Sequence, residues 1–131
     1  MGYGRVGRRI AADLTAAGLP FVVAEQNREL VEQLRDGGVP AVLGDASNPE
    51  VLLQAQIARA RMLVIATPNT LNVRQMAAYA RALNPHIDVV LRSHNETEAR
   101  MLEAENTGKV FVGELELADA MSRHVLARCV Q

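Results

Sequence analysis

An α/β domain, a parallel sheet with helices on both faces, is what this sequence predicts, and three observations carry the prediction. Short apolar or β-branched runs recur roughly 20 to 25 residues apart, room for one helix and two turns. The runs show little polar–apolar alternation, the pattern of strands buried on both faces. The intervals between them carry helical apolar spacing, bracketed by caps and breakers.

The strand-like runs are Phe21-Val22-Val23-Ala24, Ala41-Val42-Leu43, Met62-Leu63-Val64-Ile65-Ala66, Ile87-Asp88-Val89-Val90-Leu91 and Val110-Phe111-Val112. Ahead of the first run, Val6, Ile10, Leu14 and Ala17 share one helical face, and Gly18 stops that helix. In the second helix Asn27 caps, Leu30, Val31 and Leu34 pack, and Gly37-Gly38 ends it. Asn48-Pro49-Glu50 supplies the third helix with a cap, a proline at its first position and an acid near the positive end. The fourth is expected from about Thr70 to Asn84, halted by Pro85, with Leu71, Met76, Ala80 and Leu83 inward. The fifth opens on the box-like Asn95-x-x-Glu98 and stops near Gly108. The last, about 114–130, places Leu115, Ala118, Met121, Ser122, Val125 and Cys129 on one stripe. Strands alternating with helices, joined by right-handed crossovers, favour a doubly wound, Rossmann-like sheet.

The chain has 131 residues, which suits one domain spanning 1–131. Apolar residues make up 49% and aromatics 3%, so aliphatic side chains must fill the core. A formal net charge of −1 does not call for a nucleic-acid or membrane-surface partner. The single cysteine, Cys129, cannot form an internal disulfide, which fits a reducing compartment. No apolar run reaches the roughly 18 to 20 residues that span a bilayer, and none reads as a signal peptide; the fragment is expected to be soluble.

Ligands of open α/β sheets bind beyond the carboxyl ends of the strands. Gly2-Tyr3-Gly4-Arg5-Val6-Gly7 has the Gly-x-Gly-x-x-Gly spacing of a phosphate-binding turn. Gly2 would permit the tight turn, Gly4 would let the backbone approach a phosphate, and Gly7 would let the helix lie close to the sheet. Helix N–H groups would then face the anion, and Arg5 would add a charge-assisted bond. The competing reading is a glycine-rich turn without a ligand. Glu25 ends the second strand eighteen residues beyond Gly7, near the place of a ribose-binding acid, with Gln26 beside it. Its carboxylate would accept from ribose hydroxyls and repel a 2′-phosphate, favouring NAD or an adenosine nucleotide over NADP. The plain alternative is a solvated acid. Asp45 and Ala46 follow the third strand, where Asp45 would accept from an adenine amino group or simply form an Asx turn. Thr67 ends the fourth strand and would line the same pocket, in competition with a capping role for Asn69 or Thr70.

Catalytic signatures are missing. Tyr79 is followed four residues later by Leu83, not lysine, and the glycine turn lacks the Lys-Ser/Thr of a P-loop. His86, His94 and His124 have no metal-ligand spacing. There is no nucleophile elbow. A binding role without catalysis and without a metal is therefore expected.

The stretches Gly2 to Gly7, Val22-Val23-Ala24-Glu25, Gly44-Asp45-Ala46, Ile65-Ala66-Thr67 and Leu91-Arg92 together resemble the TrkA-N domain, the N-terminal nucleotide-binding half of the regulator of potassium conductance (RCK). Leu34 to Ala46 carries the resemblance further, toward the cytoplasmic domain of Kef-type, YbaL-like monovalent cation/proton antiporters. The resemblance covers essentially the whole chain. It implies a regulatory domain that binds NAD(H), AMP or another adenine nucleotide, forms a homodimer and controls potassium flux through an attached membrane domain of the bacterial inner membrane. It also implies that Gly2, Tyr3, Gly4, Arg5, Val6 and Gly7 meet phosphate, Glu25 and Gln26 the ribose, Asp45 and Ala46 the adenine side, with Thr67 near the nucleotide. The final helix would pack against or cross over to a partner, or else cover its own sheet. Arg92 joins the candidates, with a surface pairing to Glu96 or Glu98 as its alternative. It is followed by Ser93-His94, where glutathione-gated relatives carry a second arginine, so glutathione control is not carried over. A cofactor domain of a truncated NAD-dependent dehydrogenase or epimerase, or a stand-alone potassium-channel regulator, are the other readings.

Only Met1 precedes the glycine run, so the first strand of such a sheet is expected to be truncated. Unpaired ladder groups cost about 1 to 3 kcal/mol each when buried. Rearrangement, destabilisation or filling by another segment is the expected outcome.

Overall fold

A computed structural model describes residues 3–67 and 71–129. Helices and strands alternate as α1 (Arg5–Ala16), β1 (Val23–Glu25), α2 (Arg28–Asp36), β2 (Ala41–Leu43), α3 (Pro49–Gln54), a 3₁₀ turn (Ile57–Arg59), β3 (Met62–Ile65), α4 (Val73–Leu83), β4 (Asp88–Ser93), α5 (Glu96–Ala104), β5 (Lys109–Val112) and α6 (Gly113–Cys129).

The helix starts follow from their caps. Asn27 accepts from the Leu30 N–H, Asn48 from Glu50 and Asn95 from Glu98. Each satisfies a donor that the first helical turn leaves without a partner, worth typically about 1 kcal/mol. The ends of α1 and α2 share one design. Gly18-Leu19-Pro20 and Gly38-Val39-Pro40 repeat the same order, with the glycines at φ +72° and +83°. Leu19 N–H returns to Leu14 O at 2.9 Å and Val39 N–H to Leu34 O at 2.8 Å, and each proline then leads the chain into a strand.

All strand pairs are parallel. Val23 lies opposite Ala41 in the first ladder, Leu63 opposite Val89 and Leu91 opposite Val110 in the second. The sheet order is β1-β2 and, separately, β3-β4-β5. Among the described residues no strand joins β1 to β3, because Tyr3 and Gly4 run directly into α1. The ladder is thus split in two, at the place where the truncated first strand was expected to leave a gap.

The main core lies on one face of the three-stranded sheet. Leu63, Ile65, Val89, Leu91, Val110 and Val112 meet α3, α4 and α5 through Leu52, Val73, Ala77, Ala80 and Leu102. Leu52, Ile65, Leu91 and Leu102 are among the largest fully buried side chains, each worth about 1.5 to 3 kcal/mol of transfer from water. A smaller cluster of Val23, Val31, Leu34 and Ala41 holds β1 and β2 to α2. Ala46, just past β2, is buried in the main core and brings the end of β2 to the larger sheet.

Two expectations are corrected here. Strands buried on both faces were the reading, but β4 and β5 alternate, leaving Phe111 39% exposed. α6 does not cover them, since none of its described side chains is buried. Leu71, read as an inward residue of the fourth helix, is exposed because α4 begins only at Val73, which takes the buried place.

Candidate functional site

Every sequence-predicted site residue that the structure describes sits at or near a strand's carboxyl end, on the turn into α1 or in the first turn of α1. Gly2 lies outside the described residues, as do Asn69 and Thr70 with the capping role considered for them.

Glu25 is the hub. One carboxylate oxygen, Oε1, accepts from the Tyr3 backbone N–H at 3.4 Å. The other, Oε2, accepts from the backbone N–H groups of Gln26 and of Asn27, the latter at 3.1 Å. The Glu25 backbone carbonyl accepts from Gly44 N–H at 2.9 Å. One residue therefore ties the glycine turn, the start of α2 and the end of β2 together. It is half-buried, which a merely solvated acid would not require.

Tyr3 is anchored on its other side as well. Its ring packs against the smaller cluster, the Arg8 guanidinium lies 5.2 Å from the ring centroid, and Arg8 Nε donates to Tyr3 O at 3.4 Å. Arg8 did not enter the sequence reading; its only signal was a position one turn into the helix that follows the aromatic residue.

Gly4 is the N-cap of α1, and its carbonyl accepts the first helical bond from Arg8 N–H at 2.9 Å. The N–H groups of Arg5, Val6 and Gly7 precede that bond and have no acceptor within the helix. The first turn carries no acidic residue, and the Arg5 side chain is exposed. A Cβ added at Gly4 would meet nothing within 4 Å among the described residues. Donors and dipole together suit an anion. Gly7 is half-buried inside α1, and Val6 is 37% exposed.

Beyond β2, Gly44 at φ +153° would bring a Cβ to 2.5 Å from a Val51 methyl. Asp45 takes the Asx-turn arrangement, its Oδ1 accepting from Ser47 N–H at 2.9 Å. Among the described residues Oδ2 has no hydrogen-bond partner. Ala46 is buried, so its backbone alone can face a ligand.

Arg92 does not take the surface pairing considered for it. Glu96 bonds Arg100 and Glu98 accepts from the Ser93 hydroxyl, while Arg92 Nη1 donates to Ala66 O at 2.9 Å. The guanidinium thus closes over the end of β3, beside half-buried Thr67. His94 is exposed.

A cavity of about 440 Å³ opens at the opposite, amino ends of β1 and β2, between Thr15, Leu19, Phe21, Val39 and Pro40. No predicted site residue lines it. Among the described residues no cluster of His, Cys, Asp and Glu could hold a metal ion, and no helix is long and apolar enough to cross a membrane.

A family model for the TrkA-N domain matches residues 1–112. The chain is 38% identical over 121 residues to the putative cation/proton antiporter YbaL of Escherichia coli (strain K12), an alignment that takes in 92% of this chain and 22% of that protein. The crystal structure of the TrkA-N domain of inner membrane protein ybaL from Escherichia coli superposes with a TM-score of 0.86 at 38% identity, over 93% of this chain and 90% of that one. Two more distant structures share the fold. A Shewanella denitrificans Kef C-terminal domain in AMP-bound form gives a TM-score of 0.81 at 20% identity, over 99% of this chain and 79% of that one. The GsuK channel bound to NAD gives 0.72 at 19% identity, over 86% of this chain and 20% of that one. The chain spans only about a fifth of the length of the antiporter it matches.

Proposed function

The chain belongs to the TrkA-N domain family, and from that premise we propose that it is the nucleotide-binding regulatory domain of a potassium or other monovalent cation/proton antiporter. The ligand is an adenine nucleotide without a 2′-phosphate, NAD(H) or AMP. The observation that carries the reading is the clasp of Glu25 on the Tyr3 N–H, which sets a carboxylate beside the donor-rich start of α1.

In this reading the N–H groups of Arg5, Val6 and Gly7 hold phosphate, with the Arg5 guanidinium at the mouth. The long 3.4 Å contact to Tyr3 leaves Glu25 Oε1 with acceptor capacity for a ribose hydroxyl. A 2′-phosphate would place like charge against this carboxylate. Asp45 Oδ2 accepts from the adenine amino group, and Thr67 and Arg92 border the far side. The AMP-bound and NAD-bound relatives agree with this ligand class in their fold and their ligands.

The domain acts by binding, not by changing bonds. A nucleotide shifts a transport equilibrium only through different affinities for its two states. The attached partner is a membrane antiporter domain, which places this chain on the cytoplasmic side of a bacterial inner membrane. A homodimer, in which α6 meets a second copy, is part of the same reading. Calorimetric titration tests the ligand: NADH or AMP should bind saturably and NADPH at least about tenfold more weakly, while equal affinity for NADH and NADPH, or no heat at millimolar concentrations, would reject it.

A further inference from the structure

The cavity of about 440 Å³ at the amino ends of β1 and β2 has no part in the nucleotide reading. Its walls are the twin turns that follow α1 and α2, residues 18–21 and 37–40, with Thr15 of α1. The turns lie side by side because Val23 N–H donates to Pro40 O at 3.0 Å. Leu19 is 54% exposed, while Phe21 and Val39 are half-buried, so the walls are largely apolar. The volume falls within the range of about 300 to 1,000 Å³ typical of small-molecule sites.

The polar groups around this cleft accept and hardly donate. The N–H groups of Gly18, Leu19, Gly37, Gly38 and Val39 are all committed to carbonyls of the two helix ends, and Pro20 and Pro40 have none. The Thr15 hydroxyl donates to Ala11 O at 2.8 Å, which leaves its oxygen as an acceptor. The carbonyls of Ala16 and Asp36 would each pair four residues on, where Pro20 and Pro40 stand. Among the described residues neither carbonyl accepts a hydrogen bond. Charge has the same sign. Two helices end here, so the negative ends of two dipoles border the cleft. Asp36, next to the wall at Gly37, sets a carboxylate at the end of α2 where the dipole opposes it. Among the described residues it makes no ion pair. Arg35, the basic residue of that turn, is held by its Nε bond to Ala41 O at 2.9 Å and does not line the cavity.

We propose that this cleft is a second ligand site, for a small organic ammonium ion on an aromatic or aliphatic body. The body lies on Leu19, Phe21 and Val39, and the ammonium group donates to the acceptors at the helix ends, with the Asp36 carboxylate at the rim. The site does not depend on the nucleotide reading. α1 and β1 run from this cleft to the glycine turn and to Glu25, so a cation here and an anion there would occupy opposite ends of the same two elements.

Amide chemical shifts of the 131-residue chain, followed during titration with tryptamine, tryptophol and indole-3-acetate, test it. The three probes share one ring system and differ in charge. Tryptamine should give saturable shifts at Gly18, Leu19, Phe21, Gly38 and Val39. It should bind at least about tenfold more tightly than indole-3-acetate, with tryptophol between them. Asp36→Asn should weaken tryptamine by about threefold and leave tryptophol unchanged. Leu19→Ser should weaken both by about fivefold, because it removes apolar wall and not charge. Both replaced side chains are exposed, and unchanged shifts across β3, β4 and β5 verify that each variant keeps the fold. Equal affinity for the three probes, a preference for the acid, or no saturation below about 10 mM would overturn the site. A blocked Phe-Lys-Phe peptide that binds here where tryptamine does not would overturn the small ligand in favour of a protein segment.

Discussion

Glu25 holds Tyr3 in place: a carboxylate at the end of β1 accepts the backbone N–H of the glycine turn at 3.4 Å, while its second oxygen caps the start of α2. The side chain proposed to grip a ribose is therefore also the one that orients the phosphate-binding turn. Both roles can be separated by substitution.

Glu25→Ala strips an acceptor from the Tyr3, Gln26 and Asn27 N–H groups. Bonds to a charged acceptor are worth about 1.5 to 3 kcal/mol, and partial exposure places the loss at the lower end. Urea unfolding should show a lower midpoint with an unchanged slope, the two together giving a free-energy loss of about 1.5 kcal/mol. Glu25→Gln keeps an acceptor and should lose less stability, yet should narrow the preference for NADH over NADPH.

Gly44→Ala meets two obstacles at once, a backbone at φ +153° and a Val51 methyl 2.5 Å from the new Cβ. The expected loss is about 1 to 3 kcal/mol, read by thermal unfolding. Pairing it with Val51→Ala relieves the clash but not the backbone, so rescue should be partial.

Arg74 and Glu105 join the start of α4 to the end of α5 through a 2.6 Å contact. The hydrogen bond from Arg74 holds the Glu105 carboxyl below its ordinary value of 4.5, with partial burial opposing and the arginine charge assisting. Arg74 is raised by the same hydrogen bond, so the shifts of both partners favour the charged pair. A lowered carboxyl stabilises the fold above its ordinary value and ceases to as pH falls through its folded value. The difference in melting temperature between wild type and Glu105→Gln should therefore be small and positive near neutrality, and should vanish on acidification through that window.

How much of this was legible differs from element to element. Asn27, Asn48 and Asn95 cap where their spacing says, because a cap is a local bond that three or four residues decide. Glu25 was legible from its distance to the glycines, but its bond to Tyr3 was not, since it crosses from one loop to another. Arg92 was expected at the site or on the surface; its bond to Ala66 O depends on the β3–β4 register, which no local pattern encodes. The stripe read on α6 is exposed along its length, as are Leu117 and Leu126 beside it. What covers it was not legible, because amphipathicity says that a face is apolar and not which surface meets it. The gap in the ladder was anticipated; which strands pair on either side of it was not, because pairing is a property of the assembled chain.

The central claim is that a nucleotide lies across the strand ends between the start of α1 and Glu25. Amide chemical shifts followed during titration with AMP test it most directly. The account predicts saturable shifts at Tyr3 to Gly7, Glu25 to Asn27, Asp45, Ala46 and Thr67, abolished by Gly4→Val, whose Cβ meets nothing within 4 Å in the free domain but would stand where the phosphate approaches. Shifts confined to Leu19, Phe21 and Val39 at the opposite end, or unaffected by Gly4→Val, would contradict it.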